Sequence, residues 1–415
     1  MKETRNLEFK SDITNTFLKT VSAFANYDGG RIIFGVADNG DIIGLKDPVQ
    51  SCLDIENKIN DSIHPQPQYE LSVQNADKTV TLMVMSGNNK PYTYKSKAYR
   101  RNDTATIEAD ELELSRLVLS GRNINYEDLP ADRQNLSFKT LERLVKKEIG
   151  VASFNKDVLK TLNLYSDSDG YKHVAELLAD ENTFPGIDIV RFGDSISVIL
   201  KRVTFEHQSV LDELEKAVEV YRDNYQYEEI QGISRNKIEK VPEEAFREAI
   251  ANALIHRTWD VNAHIRVMMF EDRIEVTSPG GLTSGLSKEE YLKGSVSMLR
   301  NPILGNVFYR LHIVEMLGTG ILRIKEAYKN SNKQPMFEIY DNSINVILPV
   351  MSNVNISKDE ETVYKTLSRS YPKSIGEIAV EVPFGRSKTA ALLKKLVEKK
   401  YVTVIGNGRG TKYKL

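Results

Sequence analysis

Between Pro242 and Ile321 the hydrophobic pattern changes from helical to alternating and back to helical, an order few architectures accommodate. The run EEAFREAIANALIHR places Ala245, Phe246, Ala249, Ile250, Ala253 and Leu254 at helical spacing, with Pro242 just ahead, where a missing N–H costs least. Glu248 and Asn252 lie one turn apart, on a single stripe beside that apolar face. Two β-rich runs follow, AHIRVMMF and RIEVT, split by Glu271-Asp272. Next comes the glycine turn Ser278-Pro279-Gly280-Gly281-Leu282. After a polar stretch, Gly318-Thr319-Gly320-Ile321 opens another helix. Further strands are predicted near Phe337–Ile339 and Ile344–Leu348.

This order resembles the GHKL ATPase fold of gyrase, MutL and histidine kinases, and most closely its RecG-like branch, which lacks helicase motors. The resemblance covers roughly Phe205 to Val350 and is carried by REAIANALIHR, RIEVTSPGGL, LRNPILGNVF and EMLGTGILRI. It implies an adenine nucleotide with Mg2+ as ligands. The family pattern also carries an aspartate before its first glycine turn, which reads the adenine amino group; this chain has Thr277 and Ser278 there.

The residue types suit that chemistry. Glycine turns ahead of helices offer backbone N–H groups to phosphate, because no Cβ blocks close approach. Gly318, Thr319 and Gly320 supply one such turn, and Ser278, Gly280 and Gly281 the other. The Asn252 amide oxygen is a hard ligand suited to Mg2+, and Glu248 can orient a water for hydrolysis. The stretch from about Thr283 to Leu317 stands where GHKL proteins carry an ATP lid, and Ser284, Gly285, Gly294, Ser295 and Ser297 fit a mobile loop. Within it Arg300-Asn301-Pro302 is a family hallmark. Arg300 either pairs a phosphate or braces the lid. Any one of these glycines or polar residues also fits an ordinary turn or a solvated face; it is the ordered set that argues for the fold.

Length, charge and cysteine content bound the rest. A chain of 415 residues, 40% hydrophobic and 27% charged, is expected to form two to four soluble domains. A single cysteine, Cys52, excludes an internal disulfide and suits a reducing cytoplasm. The opening MKETRNLEFK lacks a signal-peptide core, no run reaches membrane-span length, and the six histidines show no zinc spacing.

Residues 1–115 predict an α+β unit. LEFK reads as a strand, ITNTFLKTVSAFANY as an amphipathic helix and RIIFGV as a buried strand. A turn at Asp38-Asn39-Gly40, a helix from Pro48 to Ile63 and the strands YELSVQ and TVTLMVM follow. The residues Glu3, LEFK, VSAFANYDGG and GVADNGDIIGL resemble the Schlafen-type Alba-like (AlbA_2) domain, which implies nucleic-acid binding. Some relatives are metal-dependent nucleases, and Glu3, Glu8 and Asp38 stand at the positions of their acidic triad, with Lys10 beside it. Glu8 and Lys10 also fit a plain ion pair. Tyr99-Arg100-Arg101 can meet phosphates or end a solvated strand. Residues 116–205 carry no motif and are predicted to bridge to a nucleotide module at 206–350; His173 and His207 there are expected to be structural or exposed.

The tail, 356–415, has a different character. From Ser357 to Leu415 it holds 13 Lys plus Arg against 6 Asp plus Glu, a net +7, whereas the whole chain is −2. Three predicted helices and a hairpin around Gly406–Gly410 resemble a winged helix-turn-helix, and so imply double-stranded DNA as partner. Arg386, Ser387, Lys388 and Thr389, at the start of GRSKTAALLKKLVEKK, are the candidate base readers. Lys394 and Lys395 are candidate phosphate contacts, and Arg409 is at the wing tip. GRSKT lacks the upstream glycine and Gly-Lys pair of a phosphate loop.

The sequence therefore predicts an α+β multidomain protein with an Alba-like domain, a GHKL-like α/β sandwich and a C-terminal winged helix. Its expected role is that of a cytoplasmic, ATP-binding transcriptional regulator, a homodimer on DNA. The competing expectation is a Schlafen-like nuclease or an ATP hydrolase in stress or phage defence.

Overall fold

Glu243–His256 is the helix the apolar spacing predicts, with Pro242 at its N-cap. Its buried face carries Phe246 and Ile250, and Phe246 stacks on Tyr221 at 4.7 Å. Truncating such a fully buried ring typically costs about 3–5 kcal/mol. The helix packs on Val210–Tyr225, on Gly320–Ala327 and on the strands Arg273–Pro279 and Ser343–Pro349.

These observations come from a computed structural model that describes residues 2–231, 234–283, 285–294, 296, 298–315, 318–351, 357–368, 371–399, 401–406 and 408–415. The chain divides into two compact units, Met1–Ala327 with Pro335–Pro349, and Tyr328–Gln334 with Val350–Leu415. Both mix helices and sheets. Ser284, Ser295 and Ser297 of the expected lid, and the side chain of Arg409, lie outside the described residues.

The sheet beneath the Glu243–His256 helix has six strands. Their order is Ile199–Phe205, Ile187–Phe192, Ile265–Met269, Arg273–Pro279, Ser343–Pro349 and Met336–Ile339. All neighbours are antiparallel except Ile187–Phe192 with Ile265–Met269. The hairpin at 187–205, which the sequence reading assigns to the bridge, is thus hydrogen-bonded into this sheet. A parallel pair needs a long crossover, here through two helices, and local patterning does not show which distant strand will pair. Along Arg273–Pro279 every second residue is buried, so Ile274, Val276 and Ser278 all point inward.

The N-terminal part of this unit follows its predicted elements. Leu7–Lys10 pairs in parallel with Gly30–Phe34, which continues antiparallel through Thr79–Val84 to Tyr69–Gln74. The helix Phe17–Asn26 is buried almost throughout, against a core of Phe17, Val21, Ile32, Phe34, Val80 and Leu82.

The second unit contains the helices Lys358–Tyr364, Ile375–Glu381 and Arg386–Glu398 and a small antiparallel sheet ordered Lys373–Ser374, Lys412–Lys414, Thr403–Ile405. Val363, Ile378, Leu393 and Leu396 form its core. Ser357 and Ser374 close capping boxes with Glu360 and Glu377, which set the starts of the first two helices.

Candidate functional site

Glu248 and Asn252 meet the N-terminus of the Gly320–Ala327 helix. Asn252 Nδ2 donates to Glu248 Oε1 at 3.1 Å, which leaves the Asn252 Oδ1 lone pairs free of that bond. A Cβ on Gly320 would collide with Glu248 Oε1 and lie 2.6 Å from Asn252 Nδ2. A side chain there would have to push the Glu248 carboxylate and the Asn252 amide aside, whereas glycine leaves both in place and lets the backbone come close to a ligand. Gly318 adopts φ +68°, the left-handed region. Glu248, Asn252, Gly318 and Gly320 line one pocket of about 70 Å³. Burial raises the Glu248 carboxyl above its usual range, against the Asn252 hydrogen bond and the Arg323 guanidinium, which lower it. That makes it a stronger base.

The segment expected to be a mobile lid folds over this pocket, and Leu286, Tyr291, Val296 and Met298 line it. It includes the helix Lys288–Lys293, closed by a Ser287–Glu290 capping box and by Gly294 at φ +62°. Lys325 Nζ donates to Leu292 O at 2.8 Å and ties that helix to Gly320–Ala327. Small-molecule pockets usually enclose about 300–1,000 Å³, so this one is small for a nucleotide.

The first glycine turn has another use. Ser278 Oγ donates to Ala253 O at 3.1 Å, and Thr277 Oγ1 to Asn345 Oδ1 at 3.1 Å. Gly280 sits at φ +105°, where a Cβ would collide with Thr258 Oγ1, and a Cβ on Gly281 would collide with Asp341 O. Neither glycine nor Ser278 is part of the pocket lining, and Thr319 is not either. The structure therefore brings together Glu248, Asn252, Gly318 and Gly320, and leaves Ser278, Gly280, Gly281 and Thr319 out.

Of the two roles open to Arg300, the geometry displays the brace. Its Nε donates to His256 O at 3.1 Å, and its Nη2 to Gly281 O at 2.9 Å and Leu282 O at 3.3 Å. Asn301 Nδ2 donates to Ile255 O and Arg257 O at 2.7 and 2.9 Å. Together they satisfy carbonyls left over at the C-terminal end of the Glu243–His256 helix, where a cation is also favoured. Pro302 starts the next helix, Pro302–Arg310. The fully buried Glu127 accepts from its Ile303 and Leu304 N–H groups at 2.6 and 2.9 Å. Burial pushes the Glu127 carboxyl up to about 7 despite those two donors.

His256 also lines the pocket, one turn beyond Asn252. Burial and the Arg300 guanidinium push its imidazole down to about 4, so it is neutral at pH 7. Sequence reasoning passed over it, although Glu248, Asn252 and His256 fall at i, i+4 and i+8.

The acidic triad does not assemble. Glu3 Oε1 accepts from Phe9 N at 2.8 Å. Glu8, 5% exposed, accepts from Thr20 Oγ1 at 2.8 Å, pairs with Lys10 at 2.6 Å and bonds Arg101. Asp38 stands in the turn of 38–40. Among the described residues no group of three His, Cys, Asp or Glu side chains can hold a metal. Glu8 is thus the ion pair that the alternative reading allows, with Arg101 in addition.

In the second unit Arg386, Ser387, Lys388, Lys394 and Lys395 are exposed along one helix. Lys388 pairs with Asp359 at 2.7 Å and lies over the Phe384 ring. Thr389 is fully buried and donates to Gly385 O at 3.2 Å, so it faces the core and cannot read a base.

Comparisons with known proteins bear on both halves of the first unit. Residues 3–110 match the family described as Schlafen, AlbA_2, and residues 262–348 the one described as putative ATP-dependent DNA helicase recG C-terminal. The chain carries both domains. No curated protein matches it. Among solved structures, the DIP2311 protein of Corynebacterium diphtheriae is 19% identical over 99% of this chain and 92% of its own, with a TM-score of 0.48. The N-terminal domain of a putative ATP-dependent DNA helicase RecG-related protein from Nitrosomonas europaea is 24% identical over 26% of this chain and 79% of its own, with a TM-score of 0.19. The two domains point to nucleic acid and nucleotide as ligand classes. No helix among the described residues is long and apolar enough to cross a membrane.

Proposed function

We propose that the protein is a DNA-binding regulator whose affinity for DNA is tuned by an adenine nucleotide with Mg2+ in the Glu248–Asn252 pocket. The observation that carries this reading is the meeting of Glu248, Asn252 and Gly320 at a helix N-terminus, where a Cβ would push both polar side chains aside. Phosphate oxygens would take the N–H groups around Gly318 and Gly320. Asn252 Oδ1 would be the protein's ligand to Mg2+, an ion that keeps most of its waters and takes substrate phosphates as further ligands. With its raised basicity Glu248 would orient a water, so slow hydrolysis accompanies binding. At about 70 Å³ the pocket is smaller than a nucleotide needs, so binding must widen it by shifting Leu286, Tyr291 and Met298 outward while they stay its walls, and that movement is the switch.

For DNA the second unit supplies a winged helix, with the Arg386–Glu398 helix as reader and the 406–410 turn as wing. Arg386, Ser387 and Lys388 would face base edges, while Lys394, Lys395 and Arg409 would meet phosphates. A two-fold dimer on paired half-sites suits such a reader. The +7 charge of Ser357–Leu415 favours a polyanion even though the whole chain is −2.

Labelled ATP with Mg2+ titrated against wild type and Asn252→Ala tests the pocket. Equal affinities would remove it as the nucleotide site. Gel shifts on genomic fragments, with and without nucleotide, test the coupling: the expected result is a change in DNA affinity that Asn252→Ala abolishes. DNA affinity that survives deletion of Ser357–Leu415 would assign DNA binding to another part of the chain.

A further inference from the structure

The pocket has a polar end with obvious work for a triphosphate, yet the residue the family pattern uses to read adenine is missing. Thr277 and Ser278 stand in its place, and both side chains are engaged elsewhere, with Asn345 and Ala253. Some other group must choose the base if one is chosen at all.

We propose that His256 reads the nucleobase, its imidazole lone pair accepting a hydrogen from the 6-amino group of adenine. This rests on the nucleotide reading of the pocket. Glu248, Asn252 and His256 line the same cavity from the same helix. Two turns separate Glu248 from His256, about 12 Å along the helix axis, a span that places a base well beyond its phosphates. Much of the lining that His256 shares is apolar, with Ile255, Tyr291, Met298 and Leu299. Such walls make a dry seat for a purine, in which one polar contact sets orientation. A neutral imidazole keeps a lone pair on one nitrogen, which an imidazolium lacks. His256 is neutral at pH 7 because burial and the neighbouring Arg300 guanidinium disfavour its charged form. Arg300 also donates to the His256 carbonyl at 3.1 Å and so holds the residue at the end of the helix.

The test is a calorimetric titration of the full-length protein with Mg2+ and three probes: ATP, purine riboside triphosphate, which lacks the 6-amino group, and inorganic triphosphate. Wild type is expected to bind ATP about five- to tenfold more tightly than purine riboside triphosphate, the worth of one hydrogen bond. His256→Ala should bind the two alike, with its affinity for inorganic triphosphate unchanged. His256→Phe, which fills the space without an acceptor, should behave in the same way, and His256→Gln should restore part of the preference. If His256→Ala and His256→Phe keep the wild-type preference while Asn252→Ala weakens all three probes, His256 does not read the base and the pocket assignment stands. If Asn252→Ala binds every probe as wild type does, the pocket assignment falls and the role of His256 falls with it.

Discussion

Glu127 offers a sharp test of which physical effect dominates at the join between the bridging segment and the Arg300-Asn301-Pro302 turn. Its carboxyl is fully buried and accepts two N–H groups from the start of the Pro302–Arg310 helix. Those donors and the helix dipole favour the charged form; burial disfavours it and wins, which places the carboxyl at about 7 against 4.5 for the free group. Folded protein therefore holds a proton that unfolded protein has lost between those values. Stability from this group is fully present below about 4.5 and falls as pH rises through about 7. A shift of roughly 2.5 units corresponds to about 3 kcal/mol. Glu127→Gln mimics the protonated form and cannot ionise. Its unfolding midpoint should match wild type near pH 5 and exceed it progressively up to pH 8, measured by thermal or urea unfolding at several pH values. Glu213, whose carboxyl burial also raises, is common to both proteins and cancels in the difference. A wild-type-to-variant difference that stays flat from pH 5 to 8 would show that the two helical N–H groups outweigh burial and that Glu127 is ionised throughout.

Other substitutions probe separate parts of the molecule. Gly320→Ala drives a Cβ into Glu248 and Asn252, so nucleotide affinity should drop at least tenfold in the titration while the far-ultraviolet circular dichroism stays native. Asn301→Ala leaves the buried carbonyls of Ile255 and Arg257 without a donor. It should cost about 2–6 kcal/mol in urea unfolding, at roughly 1–3 kcal/mol for each buried group left unsatisfied. Thr389→Val replaces a buried hydroxyl and should leave DNA affinity intact in gel shifts. Arg386→Ala, on the exposed end of the same helix, should relax sequence preference by about 1–3 kcal/mol if that arginine grips guanine.

Local pattern sufficed for many elements of this protein, though not for the helices Lys288–Lys293 and Pro302–Arg310, which stand where a mobile loop is expected. Apolar spacing alone located the Glu243–His256 helix, and the alternation in RIEVT located its strand, because burial on one face imposes a period that needs no partner to be recognised. The stripe shared by Glu248 and Asn252 is likewise a property of helical geometry. What each glycine and polar residue is for depends on what lies opposite, and that is set by chain segments far away in sequence. Gly320 proved to face Glu248 and Asn252, whereas Gly280 proved to face Thr258. Ser278 points inward because of its register in the Arg273–Pro279 strand. Arg300 spends its donors on the helix-end carbonyl of His256, 44 residues away, and on the Gly281 and Leu282 carbonyls, 19 and 18 residues away. Glu8 is neutralised by Arg101, 93 residues on, rather than joined by Asp38 around a metal. Thr389 turned from a candidate reader into a core residue once the helix had a core to face. A one-dimensional pattern reports which face of an element is apolar. The groups that meet there are chosen by tertiary packing, since a charge or a hydrogen-bond donor acts over a few ångströms of space, whatever the length of chain between the partners.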